Sequence, residues 1–201
     1  MSGKATEAAR LNLSKATVLL LQNNQAELDI LGQVFIGFGV KAIRKCLTLN
    51  EANDCILKGV VFDLIIVDCD MPGGAGFDFV KGVRRMEDND NRLTPMMLIS
   101  GHTVPSSISK ARDCGANFVV AKPITPKIML DRVLWLAREE RQFVVSDSYA
   151  GPDRRHKTFG PPAGTKGRRH DDVSAKLGKA AGPDMSQSDI DAMFNPKRAS
   201  L

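Results

Sequence analysis

Three polar side chains of complementary chemistry each stand at the end of a short apolar run. Asp68 ends the run at 62–68, Ser100 ends the run at 95–100, and Lys122 follows the apolar letters FVVA. A carboxylate is a suitable nucleophile for phosphoryl transfer, and a hydroxyl and an ammonium group bind phosphoryl oxygens. These residue types therefore suit a site that accepts a phosphoryl group on Asp68.

The elements that must bring these side chains together are visible in the hydrophobic pattern. Between Ala16 and Arg141, short apolar runs alternate with segments of helical periodicity, which predicts five strands and five helices. This order predicts an α/β fold with a doubly wound, five-stranded parallel sheet of the flavodoxin or CheY type. Because ligands bind at the carboxyl ends of strands in such sheets, the three side chains should meet at one edge. Pro72 and the glycines after it predict a tight loop that leaves Asp68 open at the surface.

Three segments at this spacing resemble the CheY-like receiver domain of response regulators. They are VDCDMPGGAG around Asp68, the pair Ser100-Gly101, and the pair Lys122-Pro123. The resemblance covers residues 16–141. It implies that Asp68 is the phosphoacceptor, that Ser100 is the switch hydroxyl, and that Lys122 is the family's lysine, followed by a cis-proline.

The family's Mg²⁺-binding acidic pair is missing. Its two positions correspond to Gln22 and Asn23, whose amides carry no charge. Asp68, the main-chain carbonyl of Asp70 and Asn23 remain as candidate ligands. Because the hard cation Mg²⁺ is usually bound by one or two carboxylates, the sequence predicts a weakened metal site.

A second departure lies in the last predicted strand. The family's switch aromatic corresponds to Val119, and Phe118 lies one position away, where its side chain should point to the opposite face. Two hypotheses therefore remain open. The leading one is a stand-alone response regulator that is phosphorylated on Asp68. The alternative is a pseudo-receiver adaptor that works without phosphorylation and whose tail binds a cyclic dinucleotide or another receiver.

The flanking segments have a different composition from the predicted domain. Residues 1–15 are small and polar, and residues 142–201 are rich in glycine, proline and basic side chains, which predicts disorder at both ends. Part of this tail is a candidate anion site, because guanidinium groups bind phosphates in a bidentate manner. The candidate residues are Arg154, Arg155, Arg168 and Arg169. A solvated linker is one alternative interpretation, and contact with DNA, RNA or a membrane, which six charges would make weak in cellular salt, is the other.

The end of the tail regains a pattern. Residues 186–194 predict a short amphipathic helix with Ser186 as the N-cap and Asp189 as its capping-box partner. Its expected partner-binding face consists of Met185, Ile190, Met193 and Phe194. The segment resembles those by which the flagellar motor switch protein and the chemotaxis phosphatase dock on CheY. We therefore expect it to bind a CheY-like receiver, either its own or that of a flagellar or chemotaxis partner.

The remaining features restrict the class of protein. No C-x-x-C pair occurs, and free thiols at Cys46, Cys55, Cys69 and Cys114 suit a reducing compartment. No apolar run approaches the ~18 residues of a membrane span, and the N-terminus lacks a signal-peptide pattern. We expect a cytoplasmic signalling protein without enzymatic, membrane-binding or sequence-specific nucleic-acid-binding activity, whose phosphodonor is a histidine kinase or phosphotransfer protein.

Overall fold

The computed structural model describes residues 13–138, 141–154 and 183–194. Its main sheet has five parallel strands in the order β2-β1-β3-β4-β5, so β5 is an edge strand. The strands are β1 (Thr17–Leu21), β2 (Ala42–Cys46), β3 (Leu64–Asp68), β4 (Met96–Ser100) and β5 (Phe118–Ala121). The helices are α1 (Gln25–Gly37), α2 (Leu49–Leu57), α3 (Ala75–Arg84), α4 (Pro105–Asp113) and α5 (Pro126–Leu136). The fold class predicted from the sequence is confirmed.

The apolar sequences of β3 and β4 suit their positions inside the sheet. Every residue of β3 and of β4 is buried, as expected for parallel strands covered by helices on both faces. On entry to α1, the side chain of Asn24 accepts hydrogen bonds from the N–H groups of Ala26 and Glu27. This cap fixes the first turn of α1 at the carboxyl edge of the sheet, where Asp68 also lies.

The prediction that the chain is disordered from residue 142 is wrong for the segment directly after the domain. A small antiparallel hairpin forms there from β6 (Phe143–Val145) and β7 (Ala150–Pro152). Its backbone touches the turn after α4, since a Cβ on Gly115 would lie 2.4 Å from the carbonyl oxygen of Ala150. The strands are too short to give a periodic pattern, and packing against the domain orders them.

The hairpin lies on a buried arginine. Arg84, at the end of α3, is 1% exposed and donates from Nε to the Gly115 carbonyl at 2.9 Å and from a terminal nitrogen to the Thr94 carbonyl at 2.8 Å. It also donates to the Arg92 carbonyl and, at 2.7 Å, to the side-chain oxygen of Asn117. Phe143 of β6 covers the guanidinium, with its ring centre 5.6 Å away. Burial lowers the pKa of Arg84 to about 10.

The terminal segment forms α6 (Gln187–Phe194), and it docks on the chain's own domain along β5. Ile190 and Phe194 are buried, and Met185 and Met193 are partly buried against the same core. At the start of the helix, Ser186 Oγ accepts a hydrogen bond from the Asp189 N–H at 3.3 Å and donates one to the Asp189 carboxylate. The sequence left open whether the helix binds its own receiver domain or that of a partner. In the structure, α6 is docked on the receiver domain of its own chain.

In the part of the chain that the structure describes, no helix combines the length and the apolar character needed to cross a membrane. The longest helix is α1, which has 13 residues and several exposed polar positions. The helices of this domain are amphipathic elements that cover a sheet, and their buried apolar residues belong to one contiguous core.

Arg84 provides a test of how the hairpin and the domain are joined. We expect Arg84→Met to lower the free energy of unfolding by about 3 kcal/mol or more, because several buried carbonyl groups lose their donor. Arg85→Met is the matched control, since Arg85 is exposed and donates a long hydrogen bond, at 3.5 Å, to the Asp147 carbonyl. Guanidinium chloride denaturation compares the two variants, and equal midpoints would contradict the anchoring role of Arg84.

Candidate functional site

Asp68 is the last residue of β3, and its side chain is 0% exposed. The prediction that the following loop leaves this carboxylate open at the surface is therefore wrong. Oδ1 accepts the Asp70 N–H at 2.8 Å, and Oδ2 accepts the Lys122 ammonium at 3.0 Å. Burial raises the pKa of Asp68, and both hydrogen bonds oppose that rise. The ionised form of the buried Asp68 carboxylate is thus stabilised by the Asp70 N–H and the Lys122 ammonium.

Lys122 is the common partner of three carboxylates. Its Nζ lies 2.7 Å from Glu27 Oε2, 3.0 Å from Asp68 Oδ2 and 3.7 Å from Asp70 Oδ2. Although burial favours the neutral amine, the hydrogen bonds to Glu27 and Asp68 raise the pKa of Lys122. The lysine is consequently a fixed positive charge at the point where β3, β5 and α1 meet.

Ser100 lies at the other side of the site, at the end of β4. Its hydroxyl donates to the His102 carbonyl at 2.9 Å and contacts Asp70 Oδ1 at 3.3 Å. Asp70 also accepts the Gly101 N–H at 2.7 Å and lies 3.4 Å from Nδ1 of His102, whose side chain is exposed. Burial works against the charge of Asp70, yet the hydrogen bonds from Gly101 and His102 lower its pKa. Asp70 therefore remains ionised beside the acceptor and ties the β3 loop to the β4 loop.

Two glycines allow these loops to approach each other. A Cβ on Gly76 would lie 2.2 Å from the main-chain oxygen of Asp68, which no other residue could tolerate without a shift of the backbone. A Cβ on Gly101 would lie 3.1 Å from Asp70 Oδ2. Close packing against the Asp68 main chain and the Asp70 carboxylate therefore favours glycine at positions 76 and 101.

The two amides at the end of β1 face the acceptor site as hydrogen-bond donors. In the orientation that satisfies its neighbours, the Gln22 amide nitrogen donates to Asp68 Oδ2 at 2.8 Å and to Glu27 Oε2 at 3.3 Å. Asn23 Nδ2 donates to the main-chain oxygen of Asp70 at 3.3 Å. At both positions the side chain thus directs an N–H group, in place of a metal-binding carboxylate, towards the oxygens of Asp68 and Asp70.

This arrangement does not fit the magnesium site that the resemblance implies. Among the described residues, no group of three or more histidine, cysteine, aspartate or glutamate side chains is placed to hold a metal ion. Asp68, Asp70 and Asn23, the ligands expected from the sequence, lie close together, but their polar atoms bind one another and Lys122.

The model of the response regulator receiver domain matches residues 18–134 of this chain. The chain belongs to this family. It is similar to the sensory/regulatory protein RpfC of Xanthomonas campestris, with 34% identity over 104 residues that cover 51% of the chain and 14% of that protein. It is also similar to histidine kinase 1 of Arabidopsis thaliana, with 31% identity over 77 residues that cover 38% of the chain and 6% of that protein.

Solved receiver structures support the same assignment. The chemotaxis protein CheY4 of Vibrio cholerae superposes with a TM-score of 0.55 at 26% identity, covering 60% of this chain and 98% of that one. A CheY-like receiver domain protein of Methanospirillum hungatei superposes with a TM-score of 0.54 at 18% identity, which supports the fold. The Lys122-Pro123 peptide bond of this receiver is cis, as the resemblance implies.

The structure brings together the three side chains predicted from the sequence and adds a fourth. Glu27 was not identified as a site residue, yet its carboxylate makes the shortest contact to Lys122. The available signal was its place two residues after the start of α1, whose first turn lies beside the end of β1.

Cys69, next to the acceptor, is buried, and that burial raises the pKa of its thiol, which argues against a reactive thiolate.

The tail residues proposed as anion ligands fall into two groups. Arg154 is described, and its guanidinium pairs with Asp113 and stacks on the Tyr149 ring at 3.9 Å. An anion at this position would have to displace that ion pair. Arg155, Arg168 and Arg169 lie outside the described residues, so their role remains a prediction.

The donor arrangement at Gln22 and Asn23 predicts how the site responds to divalent cations. We expect Gln22→Asp with Asn23→Asp to tighten Mg²⁺ binding by about tenfold or more, because two carboxylates replace two N–H donors. Isothermal titration of Mg²⁺ and Mn²⁺-induced broadening of the Gly101 amide resonance measure binding without any activity assay. Asn24→Asp, at the adjacent helix cap, is the matched control. Equal Mg²⁺ affinity in the wild type and the double variant would contradict the location of the site.

Proposed function

We propose that this receiver accepts a phosphoryl group on Asp68 from a histidine kinase or phosphotransfer protein and signals by protein contact. The observation that carries the proposal is the distance of 3.0 Å between the Lys122 ammonium and the Asp68 carboxylate, which places a positive charge next to the nucleophile. The carboxylate oxygen would attack phosphorus as the phosphorus–nitrogen bond of a phosphohistidine breaks and the imidazole leaves. Lys122 and Ser100 would then bind the phosphoryl oxygens.

The burial of Asp68 adds a requirement to this reaction. Gln22 and Lys122 both contact Asp68 Oδ2, so these side chains must shift when a phosphoryl group arrives. Lys122 retains a carboxylate partner in Glu27 during such a shift, because the two are already 2.7 Å apart. Glu27 would therefore keep the lysine at the site while Asp68 changes from an anion to an acyl phosphate.

A groove beside the site suits a helical phosphodonor. It has a volume of about 310 Å³ and lies between α1 and the loop after β5, with Leu31, Val34 and Ile124 among its apolar walls. Ile30, which also lines it, is 64% exposed, and Glu27 and Lys122 form its end at the acceptor. An apolar helix face placed in this groove would bring a neighbouring histidine towards Asp68. The curated relatives that are histidine kinases support a partner of this class.

The proposed output lies on the opposite side of the acceptor. Ser100 accepts a hydrogen bond from the His102 N–H at 3.1 Å and donates one to the His102 carbonyl, so a phosphoryl group that attracts the Ser100 hydroxyl would alter this loop. The next residue, Thr103, is bonded to the segment before α6. This connection supports signalling through the surface formed by the β4–α4 loop, β5 and the tail.

Incubation with acetyl phosphate, followed by intact-mass measurement, tests the acceptor. We expect one added phosphoryl group that is stable in acid and labile in base, because it is an acyl phosphate. Asp68→Asn should abolish the added mass, and Asp70→Asn, in the neighbouring carboxylate, should keep it. Added mass that persists in the Asp68→Asn protein would reject the assignment, as would a wild-type chain that takes no phosphoryl group from either acetyl phosphate or a phosphorylated donor domain.

One observation favours a second candidate function. Gln22, Asn23 and Lys122 already supply the hydrogen bonds that the acceptor and its loop require, without a divalent cation. A pseudo-receiver adaptor would use this arrangement permanently, and its tail would bind a cyclic dinucleotide or another receiver. The absence of phosphorylation in the mass experiment, together with binding of a cyclic dinucleotide in equilibrium dialysis, would favour this candidate.

A further inference from the structure

Both carboxylate oxygens of Asp68 accept hydrogen bonds from N–H groups of this chain. The Asp70 N–H donates to Oδ1 at 2.8 Å, and the Lys122 ammonium and the Gln22 amide donate to Oδ2 at 3.0 Å and 2.8 Å. Of these three donors, Lys122 carries a charge and the other two are neutral dipoles. The acceptor carboxylate is thus held by one cation and two amide groups of the protein itself.

Gln22 is a fixed donor in this arrangement. The residue is 1% exposed, and its main-chain N–H donates to the Cys46 carbonyl at the end of β2 at 3.1 Å. Its side-chain amide also reaches Glu27 Oε2 at 3.3 Å, so it bridges two carboxylates. A donor that is already held in a buried site needs no reorganisation when charge develops beside it, and its hydrogen bond is stronger there than in water.

Asn23 makes a similar contact to the loop after β3. Its Nδ2 donates to the main-chain oxygen of Asp70 at 3.3 Å, and this oxygen is the carbonyl that the resemblance implies as a metal ligand. Asn23 is exposed, so its amide can turn towards a phosphoryl group that enters from solvent. N–H donors therefore lie at both positions where the resemblance implies an acidic pair.

The formal charge at these two positions is the same for an amide pair as for a carboxylate pair that holds a divalent cation, because both sum to zero. Two carboxylates without a cation would instead add negative charge beside Asp68, Glu27 and Asp70, and would repel an incoming phosphoryl group. Gln22 and Asn23 avoid that repulsion. The local reason for a divalent cation is thereby removed.

We propose that Asp68 accepts its phosphoryl group without a divalent cation, and that the amides of Gln22 and Asn23 are donors to the phosphoryl oxygens. The inference rests on the acceptor function proposed above. With acetyl phosphate as the donor, an Asp68 oxygen forms a bond to phosphorus, the bond between phosphorus and the acetyl oxygen breaks, and acetate leaves with the electron pair. The Gln22 amide turns from Asp68 Oδ2 towards the phosphoryl group and keeps Glu27 as its second partner.

Labelling with acetyl phosphate in the presence and absence of metal tests this inference. The full chain is freed of metal on a chelating resin and is then labelled with either EDTA or saturating Mg²⁺, and intact mass gives the initial rates. We expect the two wild-type rates to agree within about threefold, because the protein supplies the same donors in both conditions. The comparison uses the wild type alone, so it does not depend on how any variant folds.

Restoring the acidic pair should make the reaction depend on metal. With EDTA, we expect Gln22→Asp with Asn23→Asp to be labelled about tenfold or more slowly than the wild type, because two added carboxylates lack a counter-charge. Mg²⁺ should restore the rate of this variant. Asn24→Asp is the matched control, since aspartate also caps a helix, and it should behave as the wild type in both conditions.

Gln22→Met isolates the contribution of the amide. It removes the N–H that binds Asp68 Oδ2 and keeps a side chain of similar length, and we expect the rate with EDTA to fall by about tenfold or more. Beryllofluoride, a phosphoryl mimic, gives a readout without turnover: fluorine-19 NMR in metal-free buffer should show it bound to the wild type and bound more weakly to Gln22→Met. Guanidinium chloride denaturation verifies that the variant is folded.

The outcomes separate this inference from the acceptor function. Labelling of the wild type that requires Mg²⁺ would overturn the inference and leave Asp68 as the acceptor. Labelling of the wild type in neither condition would reject the acceptor function and this inference with it. An unchanged rate in folded Gln22→Met would overturn the role of the amide.

Discussion

The Lys122 ammonium is the interaction on which the acceptor site depends. Three carboxylates, Asp68, Glu27 and Asp70, lie within 3.7 Å of its nitrogen. Without a cation, these like charges would repel one another, and burial already raises the pKa of Asp68. The sheet brings the ends of β3 and β5 to one edge, and the Asn24 cap fixes the turn of α1 that carries Glu27. The fold of this receiver thus places the Lys122 ammonium among three carboxylates.

The sequence was sufficient for the parts of the structure that follow from periodicity and from strand ends. The sheet and the convergence of Asp68, Ser100 and Lys122 follow from alternating elements, since parallel strands place their carboxyl ends together. Glu27 was not predicted, because its role depends on which way the first turn of α1 faces. The expectation that Asp68 is exposed was wrong. Glycines in the loop indicate that two backbone segments approach each other closely, but they do not indicate which side chains cover the carboxylate.

The hairpin and α6 illustrate why the tail was harder to predict. Both depend on polar groups that satisfy backbone atoms of the domain: Arg84 binds several carbonyls beneath the hairpin, and Gln187 binds the edge of β5. An arginine at the end of an amphipathic helix and a glutamine in a polar tail normally indicate solvent-facing positions. Their partners are main-chain atoms far away in the sequence, which no local pattern reveals. The apolar face of α6 was visible, because its spacing is that of a helix.

The pKa of Asp68, followed by carbon-13 NMR of its side-chain carboxyl group, tests the central role of Lys122 most directly. The account predicts that the pKa in the wild type lies above the ordinary value of 3.8 and rises further in Lys122→Met, because the buried carboxylate loses the charge that stabilises its ionised form. Lys110→Met, which removes an exposed lysine of α4, should leave it unchanged. An Asp68 pKa that stays the same or falls in Lys122→Met would contradict the account.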